Sequence, residues 1–340
     1  MYNIGVLGAG TWGIALARML SNNGHGVTVW SALEKEVEDL SATRKHPNLP
    51  GMTIPQAIEF TKDIAAVCQN KDVLLFAVPS PFVRSTAAKA APYIPDGQII
   101  VDVAKGIEAD TFFTMTQIIA DQLQNPTVKL VALSGPTHAE EVAKDLPTTI
   151  VSACEDMEAA KFVQNVFWGT CLRVYTNEDV LGVELCGAMK NVIALAAGVA
   201  VGLGLGDNTK AALITRGIAE IARLGTAMGC AEHTFGGLAG IGDLIVTATS
   251  VHSRNNRCGM LLGQGVAVEE AVKQVGMVVE GLNALPAAMR LKEKYQVEMP
   301  IVDAVNAIVN CGASPAEVVR MLMDRDKKPE IQIPHSREDN

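Results

Sequence analysis

The sequence has few aromatic residues, a deficit of positive charge and no closely paired cysteines. Aromatic side chains make up 4% of the 340 residues, and 37 acidic residues against 28 basic ones give a net charge of −9. An acidic chain argues against nucleic acid or an anionic membrane surface as its main partner. The seven cysteines are scattered, with no Cys-x-x-Cys pair. This spacing favours reduced thiols in the cytosol over a disulfide framework or a zinc site, so we expect no bound metal.

Long apolar runs are missing as well. The longest uncharged one, residues 192–206, has 15 residues and four glycines, which is short of the roughly 20 residues that a membrane span needs. The N-terminus has no positively charged region and is interrupted by glycines, which is unlike a signal peptide. We predict a soluble cytoplasmic protein without a membrane span, and its length favours two domains at the usual ~100–200 residues each.

The first half of the chain alternates short apolar runs with longer amphipathic ones. Predicted strands cover residues 4–7, 27–30, 73–78, 99–103, 130–133 and 149–153. Helical patterns such as 14–20 and 112–123 lie between them. Alternation of this kind is typical of βαβ units on a largely parallel sheet, so we predict an α/β domain over residues 1–176.

The second half changes character, because strand-like runs stop after about residue 175. The Asn-Glu-Asp sequence at 177–179 supplies helix-start chemistry before a long helical pattern, and Asp207 and Asn208 are predicted to cap the next helix. Further helical patterns cover residues 269–276, 283–295, 301–310 and 315–323. We predict an all-α domain over residues 177–324. A charged, proline-containing mobile tail is predicted over 325–340.

A Gly-x-Gly-x-x-Gly sequence, GAGTWG at residues 8–13, lies between the first predicted strand and the first helix. Gly8 allows a tight turn, Gly10 lets the backbone approach a pyrophosphate, and Gly13 lets the helix pack close to the strand. The helix N-terminus then presents free N–H groups to the anion. The sequence therefore predicts a Rossmann domain that binds a dinucleotide; a tight turn without a ligand is the alternative.

The region after the second predicted strand usually decides between NAD and NADP. An acidic residue there hydrogen-bonds the ribose 2′-hydroxyl of NAD, whereas an arginine accommodates the 2′-phosphate of NADP. This chain has Ser31 and Ala32 at that point, which are of neither type. We predict NAD or NADP as the cofactor, with Ser31 near the ribose and the choice between the two open.

The segment GAMKNVIALAAG at 187–198 is an apolar helical pattern with a single charge, Lys190. At 100° per residue, Gly187, Ala194 and Ala197 share the face of Lys190. Small neighbours leave this lysine open to close approach by another element or by a ligand. The alternative is a lysine that extends out of an apolar helix to reach solvent.

Several motifs follow one another along the chain: GVLGAGTWGIALA at 5–17, FAVPS at 76–80, AKGIE at 104–108, LSGPTHAEEVA at 133–143, GVELCGAMKNVIALAAG at 182–198, NTKAALITRGIAEIARLG at 208–225, GIGDLIVT at 240–247 and SRNNR at 253–257. Together they resemble the NAD(P)-dependent glycerol-3-phosphate dehydrogenases of the bacterial type. The resemblance implies reversible reduction of dihydroxyacetone phosphate to sn-glycerol 3-phosphate, which feeds phospholipid synthesis. It also implies a dinucleotide domain followed by a helical substrate domain, and a homodimer.

The resemblance further implies roles for individual residues. Lys190 matches the family's catalytic lysine. The residues that match substrate contacts are Lys105, Gly135, Thr137, Lys190, Asp243, Ser253, Arg254 and Asn255. Those that match cofactor contacts, beside the glycines at 8, 10 and 13, are Thr11, Trp12, Ser31, Lys105, Ala139, Arg254, Val278 and Glu280. Family members often have an arginine or histidine where this chain has Ser31 and Ala32.

Plain structural roles compete with several of these assignments. Lys105 follows an apolar strand at the carboxyl end of the sheet, where ligands bind, but it also fits a solvated turn. Asp243 is expected to hold the catalytic lysine or to cap a helix. Arg254 is expected to bind the substrate's phosphate or to belong to a solvated loop. Glu280 either reaches the cofactor or precedes a turn. We interpret His138 as polar surface, since an isolated loop histidine usually has that role.

Two other functions compete with the leading hypothesis. A two-domain dehydrogenase of the β-hydroxyacid or 6-phosphogluconate type also has a glycine loop and a lysine on a helix, but it prefers carboxylate substrates. A dinucleotide-binding sensor without catalysis would keep the glycine loop and would have no need of Lys190.

Overall fold

The computed structural model describes residues 1–327, 329 and 330. The mobile tail predicted over 325–340 therefore lies mostly outside the described residues. Within them, eight strands form one sheet in the N-terminal half. They are β1 (Asn3–Leu7), β2 (Gly26–Trp30), β3 (Glu59–Thr61), β4 (Val73–Phe76), β5 (Ile99–Asp102), β6 (Lys129–Ser134), β7 (Thr148–Ala153) and β8 (Leu172–Asn177).

The sheet has the strand order β3-β2-β1-β4-β5-β6-β7-β8. The first six strands are parallel, β7 is antiparallel to β6, and β8 is parallel to β7. This confirms the prediction of a Rossmann-type domain on a largely parallel sheet. Strand order reverses between β1 and β4, and open parallel sheets bind ligands in the crevice outside the carboxyl ends of their strands at such a point.

Sixteen α-helices occur in the described part of the chain. Those of the first half are α1 (Thr11–Asn22), α2 (Glu34–Thr43), α3 (Ile64–Cys68), α4 (Val83–Ala90), α5 (Met115–Leu123), α6 (Ala139–Val142) and α7 (Met157–Val166). Those of the second half are α8 (Val180–Gly202), α9 (Asp207–Ala227), α10 (Glu232–Phe235), α11 (Asp243–Thr249), α12 (Arg254–Gly263), α13 (Val268–Val275), α14 (Glu280–Lys294), α15 (Pro300–Cys311) and α16 (Pro315–Met323). The second half is helical, as predicted.

Helix α8 is the centre of the helical half. Asp179 caps its first turn, with Oδ1 accepting from the Gly182 N–H at 2.9 Å. The helix is buried around most of its circumference, because other helices pack on all sides of it. By length and apolar composition α8 would suffice to cross a membrane, but 89% of its apolar window is buried inside the protein. It has the environment of a core helix.

Glycines bring α12 into backbone contact with α8. A Cβ at Gly198 would lie 2.1 Å from the carbonyl oxygen of Asn256, and a Cβ at Gly259 would lie 2.1 Å from that of Leu195. Only residues without a side chain permit this approach. The close packing fixes the start of α12, where Arg254 lies, relative to the helix that contains Lys190.

The predicted elements differ from the observed ones in three places. No strand was predicted at β3, which has only three residues, or at β8, whose side chains alternate between buried and exposed. The predicted cap of α9 by Asp207 or Asn208 is wrong. Gly206 occupies the N-cap position without a side-chain bond, and Asp207 lies inside the first turn, where its carboxylate pairs with Lys210 at 3.1 Å.

Candidate active site

Asp243 joins two lysines that come from distant parts of the chain. Its carboxylate, in the first turn of α11, accepts hydrogen bonds from Lys190 of α8 and from Lys105, whose Nζ lies 2.7 Å from Oδ2. Lys190 Nζ also donates to Thr247 Oγ1 at 2.7 Å, and Lys105 Nζ donates to the carbonyl oxygen of Gly135 at 3.0 Å. We call Lys105, Lys190 and Asp243 the lysine–aspartate cluster. It lies where the helical half meets the carboxyl end of the sheet.

Burial sets the protonation chemistry of the lysine–aspartate cluster. Lys190 and Asp243 are 5% and 1% exposed. Loss of solvent lowers the pKa of Lys190 to about 7, with the charge of Lys105 acting in the same direction and Asp243 opposing both. Burial raises the pKa of Asp243, but the two lysines together outweigh it and hold that pKa below its usual value. The carboxylate therefore stays ionised, while Lys190 exchanges protons near neutral pH.

Both lysines keep some capacity to bind a ligand. An ammonium group has three N–H donors. Lys190 uses two of them, on Asp243 and Thr247, and Lys105 uses two, on Asp243 and Gly135. One N–H on each lysine is left for an oxygen atom of a ligand, as far as the described residues extend.

Gly187, one turn before Lys190, gives room to the second lysine. A Cβ at this position would lie 3.4 Å from Lys105 Cγ and 3.1 Å from Ser134 Oγ. Ala194 and Ala197, on the same face of α8, are fully buried. The space around Lys190 that we expected from its small neighbours is thus occupied in part by the side chain of Lys105.

The loop after β6 faces Lys105 with its backbone. The carbonyl oxygen of Gly135 accepts from Lys105 and also from Thr137 Oγ1, at 3.1 Å. A Cβ at Gly135 would lie 3.1 Å from the Cα of Ile150, so the loop lies close to β7. Ala139 begins α6 and is 9% exposed. Gly135, Thr137 and Ala139 therefore lie together beside Lys105.

The start of α12 presents a free guanidinium group. Arg254 is half-buried, and no other described residue hydrogen-bonds or pairs with its side chain. Ser253 is the N-cap of α12, with Oγ accepting from the Asn256 N–H at 3.2 Å. Asn255 is buried and mostly used within the chain. Its Oδ1 accepts from the Gly281 N–H at 2.8 Å, and its Nδ2 donates to Asn191 at 2.9 Å. Of these three, Arg254 has the greatest capacity to bind a ligand.

The glycine loop, residues 8–13, has the geometry of a dinucleotide cradle. Gly8 has φ +123°, and a Cβ there would lie 2.7 Å from the backbone of Ala77. A Cβ at Gly13 would lie 2.2 Å from the carbonyl oxygen of Gly8. At Gly10 no atom lies within 4 Å of the added Cβ, and this residue is the N-cap of α1. Gly8 and Gly13 thus allow close packing of the backbone. Gly10 leaves open space in front of the free N–H groups of α1, and a pyrophosphate fits there.

An acidic side chain lies at the end of β2 after all. Ser31 is 4% exposed, and its hydroxyl donates to the carboxylate of Glu36, in the first turn of α2. The Leu33 N–H donates to Ser31 Oγ at 3.1 Å. Glu36, five residues after Ser31 and in the first turn of α2, therefore places an acid beside the two residues that the sequence comparison considered.

Glu280 links the helical half to the crevice of the sheet. It begins α14, and its carboxylate accepts from the N–H and hydroxyl of Ser80, which follows β4, at 3.2 and 2.6 Å. Val278 lies two residues before it and is half-buried. Thr11 and Trp12, in the first turn of α1, are also half-buried. The bonds to Ser80 place Glu280 beside the end of β4, the strand that pairs with β1 before the glycine loop.

The structure adds residues that the sequence did not single out. Thr247, one turn after Asp243 on α11, bonds to Lys190, and its i+4 spacing was the signal available in the sequence. His138 was interpreted as polar surface, and this was wrong. It is half-buried, and burial lowers the pKa of its ring, with the charges of Lys190 and Lys105 acting in the same direction. No signal in the sequence connects His138 with these lysines.

A Rossmann-type domain, a glycine loop with open space before helix N–H groups and a buried lysine beside the sheet are together typical of nicotinamide-dependent dehydrogenases. The N-terminal pattern of NAD-dependent glycerol-3-phosphate dehydrogenase matches residues 3–160, and the C-terminal pattern of the same family matches residues 179–320. The chain belongs to this family and is an NAD(P)-dependent glycerol-3-phosphate dehydrogenase.

Individual relatives agree over nearly the whole length. The chain is 67% identical over 335 residues to glycerol-3-phosphate dehydrogenase [NAD(P)+] 2 of Lactobacillus delbrueckii subsp. bulgaricus, covering 97% of this chain and 99% of that one. It is 51% identical to the enzyme of Fusobacterium nucleatum subsp. nucleatum, covering 98% and 99%. The crystal structure of glycerol-3-phosphate dehydrogenase from Coxiella burnetii superposes with a TM-score of 0.91 at 36% identity, covering 95% and 99%.

Proposed function

We propose that the enzyme reduces dihydroxyacetone phosphate reversibly to sn-glycerol 3-phosphate, with Lys190 as the proton donor and acceptor. The observation that supports this role best is the buried Lys190 ammonium, bonded to Asp243 and Thr247 and with its pKa lowered to about 7. A general acid works best when its pKa lies near the working pH. Residues 1–176 are assigned to the cofactor and residues 177–324 to the substrate.

The residues of the chain divide the work of carbonyl reduction. The nicotinamide cofactor, when bound, supplies the hydride. The remaining N–H of Lys190 donates to the carbonyl oxygen, where negative charge develops, and transfers the proton there. Lys105 adds a second positive charge beside that oxygen. Asp243 holds both ammonium groups in place and Thr247 orients Lys190.

Arg254 is the proposed anchor for the phosphate of the substrate. Its guanidinium has no partner among the other described residues, and a guanidinium binds phosphate oxygens in a bidentate manner. The N–H groups at the start of α12, next to the Ser253 cap, add to the positive potential there. Gly135, Thr137 and Asn255 complete the proposed substrate contacts.

The proposed cofactor site runs from the glycine loop to Ser31 and Glu36. Gly8, Gly10, Thr11, Trp12 and Gly13 form its pyrophosphate end. Lys105, Ala139, Arg254, Val278 and Glu280 surround its nicotinamide end.

We infer a preference for NADH over NADPH. Glu36, held by Ser31, accepts the 2′-hydroxyl of the ribose and repels a 2′-phosphate.

Three further proposals concern the enzyme in the cell. Reduction toward sn-glycerol 3-phosphate is proposed as the direction that supplies the glycerophospholipid backbone. A cytoplasmic location is proposed from the seven free cysteines, which suit a reducing compartment. A homodimer is proposed from membership of the family.

Cofactor absorbance tests the proposed function. The purified protein is mixed with dihydroxyacetone phosphate and either NADH or NADPH, and oxidation of the cofactor is followed. We expect oxidation with both and higher kcat/KM with NADH. No oxidation with either cofactor would refute the proposal. A substrate panel that includes hydroxyacids separates this enzyme from carboxylate-specific dehydrogenases, and loss of turnover in Lys190→Ala separates it from a non-catalytic sensor.

A further inference from the structure

We propose that His138 is a specificity-determining residue, whose Nε2 accepts a hydrogen bond from the free hydroxyl group of the three-carbon substrate. The inference rests on the proposed function and concerns a residue to which no motif gives a role. It follows from three properties of the ring: its place, its protonation and its unused acceptor.

His138 is the N-cap residue of α6, in the loop that begins at Gly135, whose carbonyl oxygen accepts from Lys105 of the lysine–aspartate cluster. The ring packs edge-on against that of His252, with 5.9 Å between the centroids, which limits its rotation. Its Nε2 is buried and has no hydrogen-bond partner among the described residues. A buried polar atom without a partner costs free energy unless a ligand or an ordered water satisfies it.

The surroundings of His138 favour the neutral form of its ring. Burial lowers its pKa, and the charges of Lys190 and Lys105 lower it further, whereas the charge of Glu140 opposes them without reversing the shift. We place the proton of the neutral ring on Nδ1, because Nε2 is the buried nitrogen that has no partner among the described residues. A neutral imidazole that donates from Nδ1 presents Nε2 as an acceptor.

An acceptor is unusual in a site that otherwise offers donors. Lys190, Lys105 and Arg254 all present N–H groups, which suit the carbonyl oxygen and the phosphate of the substrate. These two groups of dihydroxyacetone phosphate only accept hydrogen bonds. Its hydroxyl is the one group that can donate. The acceptor on His138 therefore complements the part of the substrate that the cations do not recognise.

A pair of ketones tests this assignment. Acetol phosphate has the same carbonyl and phosphate as dihydroxyacetone phosphate, with a methyl group in place of CH2OH. We expect His138→Phe, which keeps a ring and removes the acceptor, to lower kcat/KM for dihydroxyacetone phosphate about tenfold or more. The same variant should leave kcat/KM for acetol phosphate within about twofold. His138→Gln, which can place an acceptor near the same point, should recover part of the discrimination. The control is His233→Gln, an exposed histidine of α10.

The other outcomes overturn the inference. An equal loss of kcat/KM with both ketones would show a structural role, and unchanged kcat/KM with both would show no role. A raised KM for the nicotinamide cofactor with unchanged ketone discrimination would mean that Nε2 binds the carboxamide of the cofactor instead. Wild-type protein that fails to turn over dihydroxyacetone phosphate would refute the proposed function itself, so the two failures are distinguishable.

Discussion

The glycine loop and the lysine–aspartate cluster are built in opposite ways. The glycine loop is a continuous segment of six residues, and its shape depends on backbone conformation and on the absence of side chains. The lysine–aspartate cluster consists of side chains from α8, α11 and the loop after β5, with a separation of 53 positions between Lys190 and Asp243 and of 138 between Lys105 and Asp243. One site is made locally, and the other exists only when the two halves of the chain pack together.

The difference shows what each site needs in order to work. A dinucleotide anion is bound by backbone N–H groups, which any sequence with the correct turn can supply. Proton transfer needs a lysine whose pKa is shifted by burial and by neighbouring charges, and these neighbours must come from elsewhere in the fold. Substitutions in the cluster should therefore affect chemistry, whereas those in the loop should affect folding or cofactor affinity.

The largest effect is expected for Lys190→Met, which keeps the length of the side chain and removes the proton. Loss of a general acid–base lowers the rate about 10²–10⁴-fold, so kcat should fall by about that factor. Cofactor affinity, measured by fluorescence titration, should stay within about twofold, since the glycine loop is untouched. Full turnover in this variant would contradict the catalytic role.

Arg254→Ala should weaken phosphate binding more than it slows chemistry. Loss of a charge-assisted hydrogen bond costs about 1.5–3 kcal/mol, so KM for dihydroxyacetone phosphate should rise about 10–100-fold with little change in kcat. Arg257→Ala, on the same helix and exposed, is the matched control and should leave KM unchanged. A large fall in kcat at constant KM would contradict the anchoring role.

The sequence predicted the two sites unequally, for physical reasons. The glycine loop, the order of strands and helices and the lone charge on α8 are local patterns, and periodicity and spacing reveal them. Without the family motifs, nothing in the sequence joins Lys105 to Asp243. His138 was misjudged because Lys105 and Lys190 are distant from it in sequence. Glu36 was overlooked because it lies five positions after Ser31, in the next element. Strand β8 was missed because one of its faces is polar.

Two glycine substitutions test the division of roles within the loop. Gly13→Ala places a Cβ 2.2 Å from the carbonyl oxygen of Gly8, and overpacking of this kind costs about 1–3 kcal/mol, so thermal stability should fall without any cofactor present. Gly10→Ala meets no protein atom within 4 Å. It should keep its stability and raise KM for the cofactor about tenfold, because the methyl group occupies the space of the pyrophosphate. Equal loss of stability in both would contradict the proposed cradle.

The pH dependence of the reaction should follow the protonation of Lys190. Its pKa is lowered to about 7 by burial, and reduction of the ketone requires the ammonium form. For reduction, kcat/KM should be constant at lower pH and fall about tenfold per unit above the pKa. Oxidation of the alcohol requires the neutral amine, so kcat/KM for oxidation should increase with pH through the same range. Profiles without a transition near this pH would contradict the assignment.

The smallest expected effect concerns the choice of cofactor. Glu36→Gln removes the negative charge that Ser31 holds at the end of β2, and a partly solvated charge of this kind contributes about 1 kcal/mol. The efficiency with NADPH should therefore rise about fivefold relative to NADH, and the gain should shrink as salt screens the charge. Glu38→Gln, which replaces an exposed acid on the same helix, should leave kcat/KM unchanged with both cofactors. If Glu36→Gln leaves the ratio of kcat/KM with NADPH to kcat/KM with NADH unchanged, the choice between the two cofactors does not depend on Glu36. The glycine loop alone would then determine cofactor specificity, without a contribution from α2.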